Sequence, residues 1–392
     1  MEQAAMPSFE NTETAFAYKS GRQLRKAALI FSVMQKSWLV KAGTAILPFA
    51  LKAGLPVRGL IRNTLFAQFC GGESLEEAAL TARRLERFNT DVILDYGVEA
   101  AEGEENYDRA VPEFTRAVGY AAQQSNIPFI SLKVTGFARN GLLEKLHLGQ
   151  ALQGSEADEW QRVQERIRKI CAAAAEHHIG VLIDAEESWI QQPVDELAES
   201  MMAQFNAQRA IVYNTFQLYR HDRLEVLHHS FEKARAHHYI LGAKLVRGAY
   251  MEKERKRAEE MNEPSPIQAS KEDTDRDYDA AVRFCLDHLD NIATFIGTHN
   301  EKSCLLAVEY MKEKNIPHDH PHVHFSQLFG MSDHITFNLA QAGYHASKYL
   351  PYGPVKDVMP YLIRRAQENT SIAGQTGREL SLLRRERRRR QV

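Results

Sequence analysis

The chain has 392 residues, 44% hydrophobic and 26% charged, which is typical of a globular protein with one large domain or two smaller ones. Its net charge of −2 provides no overall positive field, so nucleic acid is not expected as a partner. The four cysteines lie far apart without a C-x-x-C pair, which argues against a disulfide framework or a zinc site.

The N-terminal region, residues 1–85, is predicted to be helical. Its first residues are acidic before any basic cluster, unlike a signal or transit peptide. The most apolar stretch, WLVKAGTAILPFALKAGL, is interrupted by Lys41, Pro48 and Lys52. We therefore predict a packed or interface-lying helix here rather than a membrane span.

Eight short apolar runs follow, and they alternate with amphipathic segments such as ADEWQRVQERIRKICAAAAEHH. The runs are TDVILDYG, PFISLKV, GVLIDAEE, AIVYNTFQL, YILGAKLVRGAY, ATFIGTHN, VHFSQLFGM and KYLPYG. Strands that alternate with helices predict parallel βαβ units. Eight units favour a closed (βα)8 barrel over an open doubly wound sheet, and we place this domain at residues 86–375.

Several of these runs become polar at their C-terminal ends. In a barrel those ends converge on one face, where barrel enzymes have their active sites. Neither G-x-G-x-x-G after the first strand nor G-x-x-x-x-G-K-[ST] is present, so a cofactor would have to be bound by the barrel mouth itself. The polar strand-end residues are Glu99, Lys133, Asp184, Asn214, Lys244, Arg247, His299, Gln327 and Tyr349.

Histidines and carboxylates keep a metal site open as an alternative. In HDHPHVHF, His322 and His324 would share one face of a strand, but they lie at its N-terminal end, so we expect a solvated loop and no metal. Asp184, Glu186 and His299 could instead serve a metal-dependent barrel hydrolase, in which a carboxylate acts as ligand or general base.

Two further motifs indicate anion binding. GAKLVRGAY ends a strand with Gly248 near Lys244 and Arg247, which suits a phosphate or a developing negative charge. PYLIRRAQEN places Arg364 and Arg365 beside a predicted apolar helical face. Adjacent helical positions diverge by about 100°, so the two arginines cannot both occupy the middle of a solvent face. A bound carboxylate would explain them. The apolar face comprises Val358, Met359, Leu362, Ile363 and Ala366.

The C-terminal tail, residues 376–392, carries the basic run RRERRRR. We expect a frayed, solvated helix end, and the alternative is attraction to anionic lipid head groups. A non-enzymatic binding module that uses this tail is a third class of function.

Seven motifs in order resemble the proline dehydrogenase family: FISLKVTG, LIDAEES, NTFQLY, GAKLVRGAYMEKERKRA, GTHN, FSQLFGM and KYLPYGPVKDVMPYLIRRAQEN. The resemblance implies a distorted (βα)8 barrel that binds FAD at its C-terminal mouth. It also implies oxidation of L-proline to Δ1-pyrroline-5-carboxylate, with electrons passed to a membrane quinone. We expect a monofunctional enzyme without a second, aldehyde dehydrogenase domain. It would be cytoplasmic or peripheral on the inner membrane, mitochondrial in a eukaryote, although no transit peptide is seen.

The same resemblance implies roles in substrate binding. Arg364 and Arg365 would hold the proline carboxylate, joined by Lys133. Glu99 would pair with Arg364 as a gate over the pocket. The residues implied to pack against the pyrrolidine ring are Leu245, Tyr349 and Tyr361.

The resemblance also implies a flavin site. Hydride would pass from proline C5 to flavin N5, with Lys244 near the N5 edge. Asp184 would tune the site as a hydrogen-bond partner or weak proton acceptor. The residues implied to contact FAD are Asn214, Lys244, Val246, Arg247, Gly248, Ala249, Thr274, Thr298, His299, Asn300, Gln327 and Glu368.

Hydroxyproline dehydrogenase is the nearest alternative, since it shares the fold and the cofactor. A hydroxyl on the substrate ring would favour a smaller or more polar neighbour than Tyr349. The tyrosine therefore favours proline.

Overall fold

The computed structural model describes residues 6–36, 38–40, 42–43, 57–97, 103–371 and 375–392, with the side chains of 368–371 and 375 excepted. Glu99 and most of the apolar stretch WLVKAGTAILPFALKAGL lie outside the described residues.

Eight parallel strands form a closed barrel in sequence order. Each predicted apolar run overlaps one strand, so the prediction of a (βα)8 barrel is confirmed. The strands are β1 Asp91–Tyr96, β2 Phe129–Lys133, β3 Gly180–Asp184, β4 Val212–Gln217, β5 Leu241–Val246, β6 Ile292–Gly297, β7 Val323–Leu328 and β8 Ala346–Tyr352.

Helices precede, separate and follow the strands. Among the described helices, none is both long and apolar enough to cross a membrane. A π-helical turn, Arg62–Phe66, joins two of them. The helices are Thr12–Phe16, Gly21–Met34, Arg58–Ile61, Ala67–Phe69, Leu75–Glu86, Glu104–Ala121, Asn140–His147, Glu156–Glu176, Gln191–Phe205, Arg223–Ala236, Met251–Met261, Lys271–Asp287, Glu301–Glu313, Asp333–Gln341, Met359–Ser371 and Gln375–Arg389.

The chain divides into two compact units, and each is described by itself. The terminal unit consists of Met1–Glu99 with Gln327–Val392, and the central unit is Ala100–Ser326. The predicted domain boundaries at 85 and 375 stay a prediction.

The core of the terminal unit forms around the helix Gly21–Met34. A capping box begins this helix, because Ser20 Oγ accepts from the Gln23 amide while Gln23 Oε1 accepts from the Ser20 amide. Its buried residues pack in one cluster with Leu362 and Leu380. The apolar face predicted beside the two arginines is therefore confirmed, since its members are buried in this cluster or packed against it: Val358, Met359, Leu362, Ile363 and Ala366.

A buried ionic network also stabilises the terminal unit. Lys348 on β8 is fully buried, and its Nζ lies 2.9 Å from Asp333 Oδ1 and donates to the Met331 carbonyl at 2.6 Å. The other carboxylate oxygen of Asp333 accepts from the Tyr18 hydroxyl at 2.8 Å and lies 3.4 Å from Lys19 Nζ. A buried charge is tolerated when it is paired and hydrogen-bonded, so this network joins the N-terminal segment to the strand β8.

The basic C-terminal segment is an ordered helix that reaches Arg389, so a frayed end is not found. Arg385 lies 2.8 Å from Glu10, at the other end of the chain. The carboxylate of Glu386 is fully buried and pairs with Arg389 at 2.9 Å and Arg390 at 2.5 Å. Three of the six arginines of this run are thus paired with carboxylates within the terminal unit.

Candidate active site

Two lysines and one aspartate form a cluster at or near the carboxyl ends of three strands in the central unit. Asp184 Oδ1 accepts a hydrogen bond from Lys244 Nζ at 2.6 Å. Its Oδ2 accepts from Lys133 Nζ at 3.5 Å and from Ser131 Oγ at 3.3 Å. Asp184 and Lys244 are 8% and 7% exposed, so their attraction is screened far less than at the surface. Three predicted site residues are therefore brought together.

The register of the strands explains this convergence. Thr215 pairs with Lys244, while Asn214 pairs with Ile183 on one side and Ala243 on the other. Since side chains alternate between faces of a strand, Asp184 and Lys244 share one face and Asn214 lies on the other.

The side chain of Asn214 accordingly forms hydrogen bonds with a neighbouring helix and with its own strand. Its side chain is fully buried, donates to Asp195 Oδ1 at 2.8 Å and accepts from the Thr215 amide at 2.9 Å. Asp195 belongs to the helix Gln191–Phe205. The predicted flavin contact of Asn214 stays a prediction, and the structure gives this amide a role in joining strand to helix.

Glu186 forms a second buried carboxylate site next to the lysine cluster. Its oxygens accept from the Thr135 hydroxyl at 2.7 Å and from the Thr135 amide at 3.3 Å. Burial raises the pKa of the Glu186 carboxyl to about 7, and the nearby charge of Glu187 raises it further, while Lys133 opposes the shift. Thr135 lies in the turn directly after Lys133, so Glu186 fixes the backbone that carries that lysine.

The variant Glu186→Gln should change how stability depends on pH. Above pH 4.5 the unfolded chain releases this proton, whereas the folded chain keeps it up to about pH 7. Glu186 therefore lowers the free energy of unfolding as pH rises through that window, by about 3 kcal/mol. In the glutamine variant this side chain does not titrate, so it causes no fall in the free energy of unfolding across the same window. Urea unfolding of both proteins at both ends of the window tests this, and a stability difference that does not change with pH would contradict it.

Arg247 is the centre of a separate polar cluster beyond β5. Its guanidinium donates to Asp275 Oδ1 at 2.8 Å, to Thr298 Oγ1 at 2.6 Å and to Ser303 Oγ at 2.9 Å. It also lies over the Tyr278 ring, 4.3 Å from the centroid. Two predicted cofactor residues, Arg247 and Thr298, are thus in contact, and their hydrogen bonds fix the planar cation.

Local structure accounts for several other residues in the predicted cofactor set. Gly248 has φ +136°, and a Cβ there would lie 2.4 Å from the Tyr219 ring, so both conformation and space require glycine. Asn300 is the N-cap of the helix Glu301–Glu313, where its Oδ1 accepts from the Lys302 amide at 2.9 Å. Thr274 donates within its own helix to the Ser270 carbonyl. Their cofactor contacts stay predictions.

The terminal unit carries the predicted arginine pair on the helix Met359–Ser371. Arg365 is 7% exposed, its guanidinium lies 5.4 Å from the centre of the Tyr361 ring, and Arg364 is half-buried. The arginines thus do not occupy an open solvent face, as predicted. Tyr349 on β8 is buried, and Gln327 Oε1 accepts from the Thr336 hydroxyl at 2.7 Å.

The remaining predicted residues have less informative surroundings. Leu245 is fully buried, one position along β5 from Lys244 and hence on the other face of the strand. Val246, Ala249 and His299 are partly buried. The side chain of Glu368 lies outside the described residues.

Sequence reasoning did not single out three polar neighbours that hold the predicted residues: Ser131, Thr135 and Asp275. Ser131 lies two positions before Lys133 on β2 and therefore shares its face. This alternation could have indicated Ser131, whereas Asp275 lies on a helix about thirty residues from Arg247, a pairing that no local pattern indicates.

No group of histidine, cysteine, aspartate and glutamate within the described residues could hold a metal ion. His322 Nδ1 is instead 2.7 Å from the Leu289 carbonyl, and the His324 ring stacks on Phe295 at 5.7 Å. The described part of the chain therefore offers nothing in favour of a metal-dependent hydrolase.

Comparison with known proteins gives relatives over most of the chain. The chain is 36% identical over 329 residues to the carbapenem antibiotics biosynthesis protein CarD of Pectobacterium carotovorum subsp. carotovorum, covering 84% of this chain and 85% of that protein. It is 30% identical to mitochondrial proline dehydrogenase 1 of Dictyostelium discoideum, covering 97% and 74%. It is 31% identical to the hydroxyproline dehydrogenase of Xenopus laevis, covering 96% and 88%.

The fold is similar to that of proline utilization A (PutA) from Bdellovibrio bacteriovorus, with a TM-score of 0.71 at 20% identity. The match covers 94% of this chain but only 37% of that protein. The model of the proline dehydrogenase family matches residues 78–378. With this match over most of its length, the chain belongs to the proline dehydrogenase family of oxidoreductases.

Proposed function

We propose that this chain catalyses the FAD-dependent oxidation of L-proline to Δ1-pyrroline-5-carboxylate, with a membrane quinone as the electron acceptor. The observation that carries this proposal is the cluster of Lys133 with the buried pair Asp184 and Lys244, near the strand ends of a barrel from this family. Proline is a zwitterion, and oxidation at the carbon next to nitrogen needs orientation and compensation of charge more than a strong base.

The donor set at the strand ends fits a flavin dinucleotide. An ammonium group and a guanidinium follow one another on and just beyond β5, at Lys244 and Arg247, and a hydroxyl follows β6 at Thr298. Cations and hydroxyls of this kind bind pyrophosphate and stabilise a reduced, anionic ring. Asp275 holds Arg247 in place by pairing with it. We propose that these residues hold the cofactor together with the others of the predicted set.

When bound, flavin supplies the acceptor for the hydride that leaves proline C5. The chain supplies fixed charges around it. Asp184 holds the Lys244 ammonium at 2.6 Å, so that a positive charge faces the place where negative charge develops. The proton of the ring nitrogen must also leave, and we propose that the carboxylate of Asp184 accepts it or positions the group that does. Carboxylate binding by Lys133, Arg364 and Arg365 is proposed from the family resemblance.

The absorbance spectrum of the purified protein tests the proposal directly. A flavoprotein should show flavin bands, and these should bleach under anaerobic conditions when L-proline is added. D-proline is the matched control, because the same ring with the opposite carboxylate orientation should bleach the bands far more slowly. A colourless protein, or bands that L-proline leaves unchanged, would reject this function.

Hydroxyproline is the second candidate substrate, because the relative from Xenopus laevis is named for it and matches 96% of this chain. Tyr349 is 6% exposed, so a ring hydroxyl placed against it would lose water and need a polar partner. We therefore propose proline as the better substrate. Comparison of kcat/KM for L-proline and trans-4-hydroxy-L-proline decides between them.

Glu99 is proposed to pair with Arg364 and to close the pocket over substrate. The variant Glu99→Ala should weaken proline binding and quicken product release, although Glu99 itself need not touch the substrate. A double-mutant cycle with Arg364→Met is the measurement. Strong non-additivity in kcat/KM is expected. Additive losses would contradict the pair, and Glu99 would then be an exposed carboxylate whose interactions contribute about 0–1 kcal/mol.

A further inference from the structure

Positive charge is segregated in one segment near the N-terminus. Between Glu13 and Glu73 the sequence contains no aspartate or glutamate, yet it holds nine lysines and arginines on a chain whose net charge is −2. The nine are Lys19, Arg22, Arg25, Lys26, Lys36, Lys41, Lys52, Arg58 and Arg62. Such a segment attracts anionic surfaces even though the whole chain is nearly neutral.

The helix Gly21–Met34 presents part of this charge together with apolar side chains. Its outer surface, which we call the basic-apolar face, consists of Arg22, Arg25, Lys26, Leu29 and Val33. At 100° per residue these five positions fall within an arc of about 100°. Leu29 is 65% exposed and Val33 44%, whereas Leu24 and Phe31 on the opposite side are buried.

The charges of this face are not neutralised within the described part of the chain. Arg22, Arg25 and Lys26 form no ion pair with any described residue, in contrast to Arg58 and Arg62, which pair with Glu73 at 2.6 and 2.8 Å. Partial burial and the nearby guanidinium of Arg22 lower the pKa of Lys26, as expected where positive charges crowd together.

Two more large apolar side chains of the same segment are exposed. Trp38 and Leu60 are each 67% exposed. The π-helical turn that follows Leu60 packs against the helix Gly21–Met34, so this helix and the turn belong to one packed body. Exposed tryptophan and leucine with lysine and arginine form the combination that inserts into the head-group region of a bilayer.

We propose that the basic-apolar face docks this protein onto an anionic lipid bilayer, with Leu29 and Val33 entering the interface and the three cations contacting head groups. This deepens the proposed function, whose quinone acceptor resides in a membrane. A second copy of the chain is the competing occupant. Because two such faces carry the same sign of charge, they repel each other, and charge complementarity favours the anionic bilayer.

The proposal assigns membrane contact to a different element from the C-terminal arginine run. Four arginines near or within that run pair with Glu10, Glu13 or Glu386: Arg378, Arg385, Arg389 and Arg390. Paired charges attract lipid less strongly than unpaired ones. The helical face also presents the exposed apolar side chains Leu29 and Val33, whereas the described residues of the run present no exposed large apolar side chain, so the helical face should dominate.

Sedimentation with phosphatidylcholine vesicles, with and without phosphatidylglycerol, tests the proposal on the full chain. The native protein should bind the anionic vesicles and lose binding at high salt. The variant Arg22→Gln/Arg25→Gln/Lys26→Gln should bind about fivefold more weakly for each cation removed. Arg209→Gln/Arg255→Gln/Lys312→Gln also removes three exposed cations, all outside this face, and is the matched charge control that should bind as the native protein does. Equal binding by the triple variant, or loss in the control alone, would overturn the proposal.

The apolar contribution is tested separately. Leu29→Ser/Val33→Ser should weaken vesicle binding, whereas Leu80→Ser, at a position also 65% exposed, should not. Trp38 fluorescence should shift to shorter wavelength with anionic vesicles, and Trp38→Phe should abolish that shift. A dimer in solution that Leu29→Ser/Val33→Ser dissociates would assign the face to a second copy instead. Proline oxidation with a soluble acceptor needs no vesicles, so failure of docking and failure of the proposed enzymatic function are distinguishable.

Discussion

Replacing Asp184 with alanine is expected to lower kcat/KM for proline by about 100-fold or more, the typical cost of misplacing a catalytic group by about an ångström. Its carboxylate accepts from both Lys244 and Lys133, which lie on different strands. Without it, the two ammonium groups repel each other and leave the positions proposed for charge compensation. Because the pair with Lys244 is buried, stability should also fall by about 3–5 kcal/mol.

Steady-state kinetics and urea unfolding measure the two losses separately. Asp184→Asn, which keeps an oxygen acceptor for Lys244, should lose less stability than Asp184→Ala. Glu260→Ala is the matched surface control, since it breaks an exposed pair with Lys256 and should change stability by about 0.5 kcal/mol or less. Native kinetics and native stability in Asp184→Ala would refute the role assigned to the cluster.

Arg365→Met should raise KM for proline sharply while the flavin stays bound. Loss of one charge-assisted pair to a carboxylate is expected to lower kcat/KM by about 2–4 kcal/mol, or roughly 30- to 700-fold. Arg364→Met should act in the same direction. Arg365 is 7% exposed whereas Arg364 is half-buried, so Arg365→Met should have the larger additional effect on stability.

The measurement compares kcat and KM in each variant with the flavin absorbance of the purified protein. Arg83→Met, at an exposed arginine on the helix Leu75–Glu86, is the control and should leave all three quantities unchanged. If both Arg364→Met and Arg365→Met retained native kinetics, the arginines would not bind the carboxylate.

The sequence alone determined the architecture. Each of the eight apolar runs overlaps a strand, because buried parallel strands need near-continuous Val, Ile, Leu and Phe and the helices between them need an amphipathic pattern. The apolar face around Leu362 was equally readable, because the 3.6-residue period of a helix is a local property.

The sequence also identified which residue types lie at the strand ends, including Lys133, Asp184 and Lys244. It could not say which of them touch. Asp184 is 51 residues from Lys133 and 60 from Lys244, and only the strand register brings the three together. Asn214 was also predicted at a strand end, yet it is the third residue of β4, one register position before Lys244. Its amide therefore lies on the other face of the strand and bonds to Asp195.

Only the tertiary structure decided the state of the charges. The arginine run at the C-terminus reads as a solvated tail, but Glu10, more than 360 residues away in sequence, pairs with Arg378 and Arg385. In the acid-free segment Arg22 and Lys26 remain on an open helical face. A sequence records how many charges there are, whereas burial and long-range pairing, which the fold creates, decide which of them remain available for a partner.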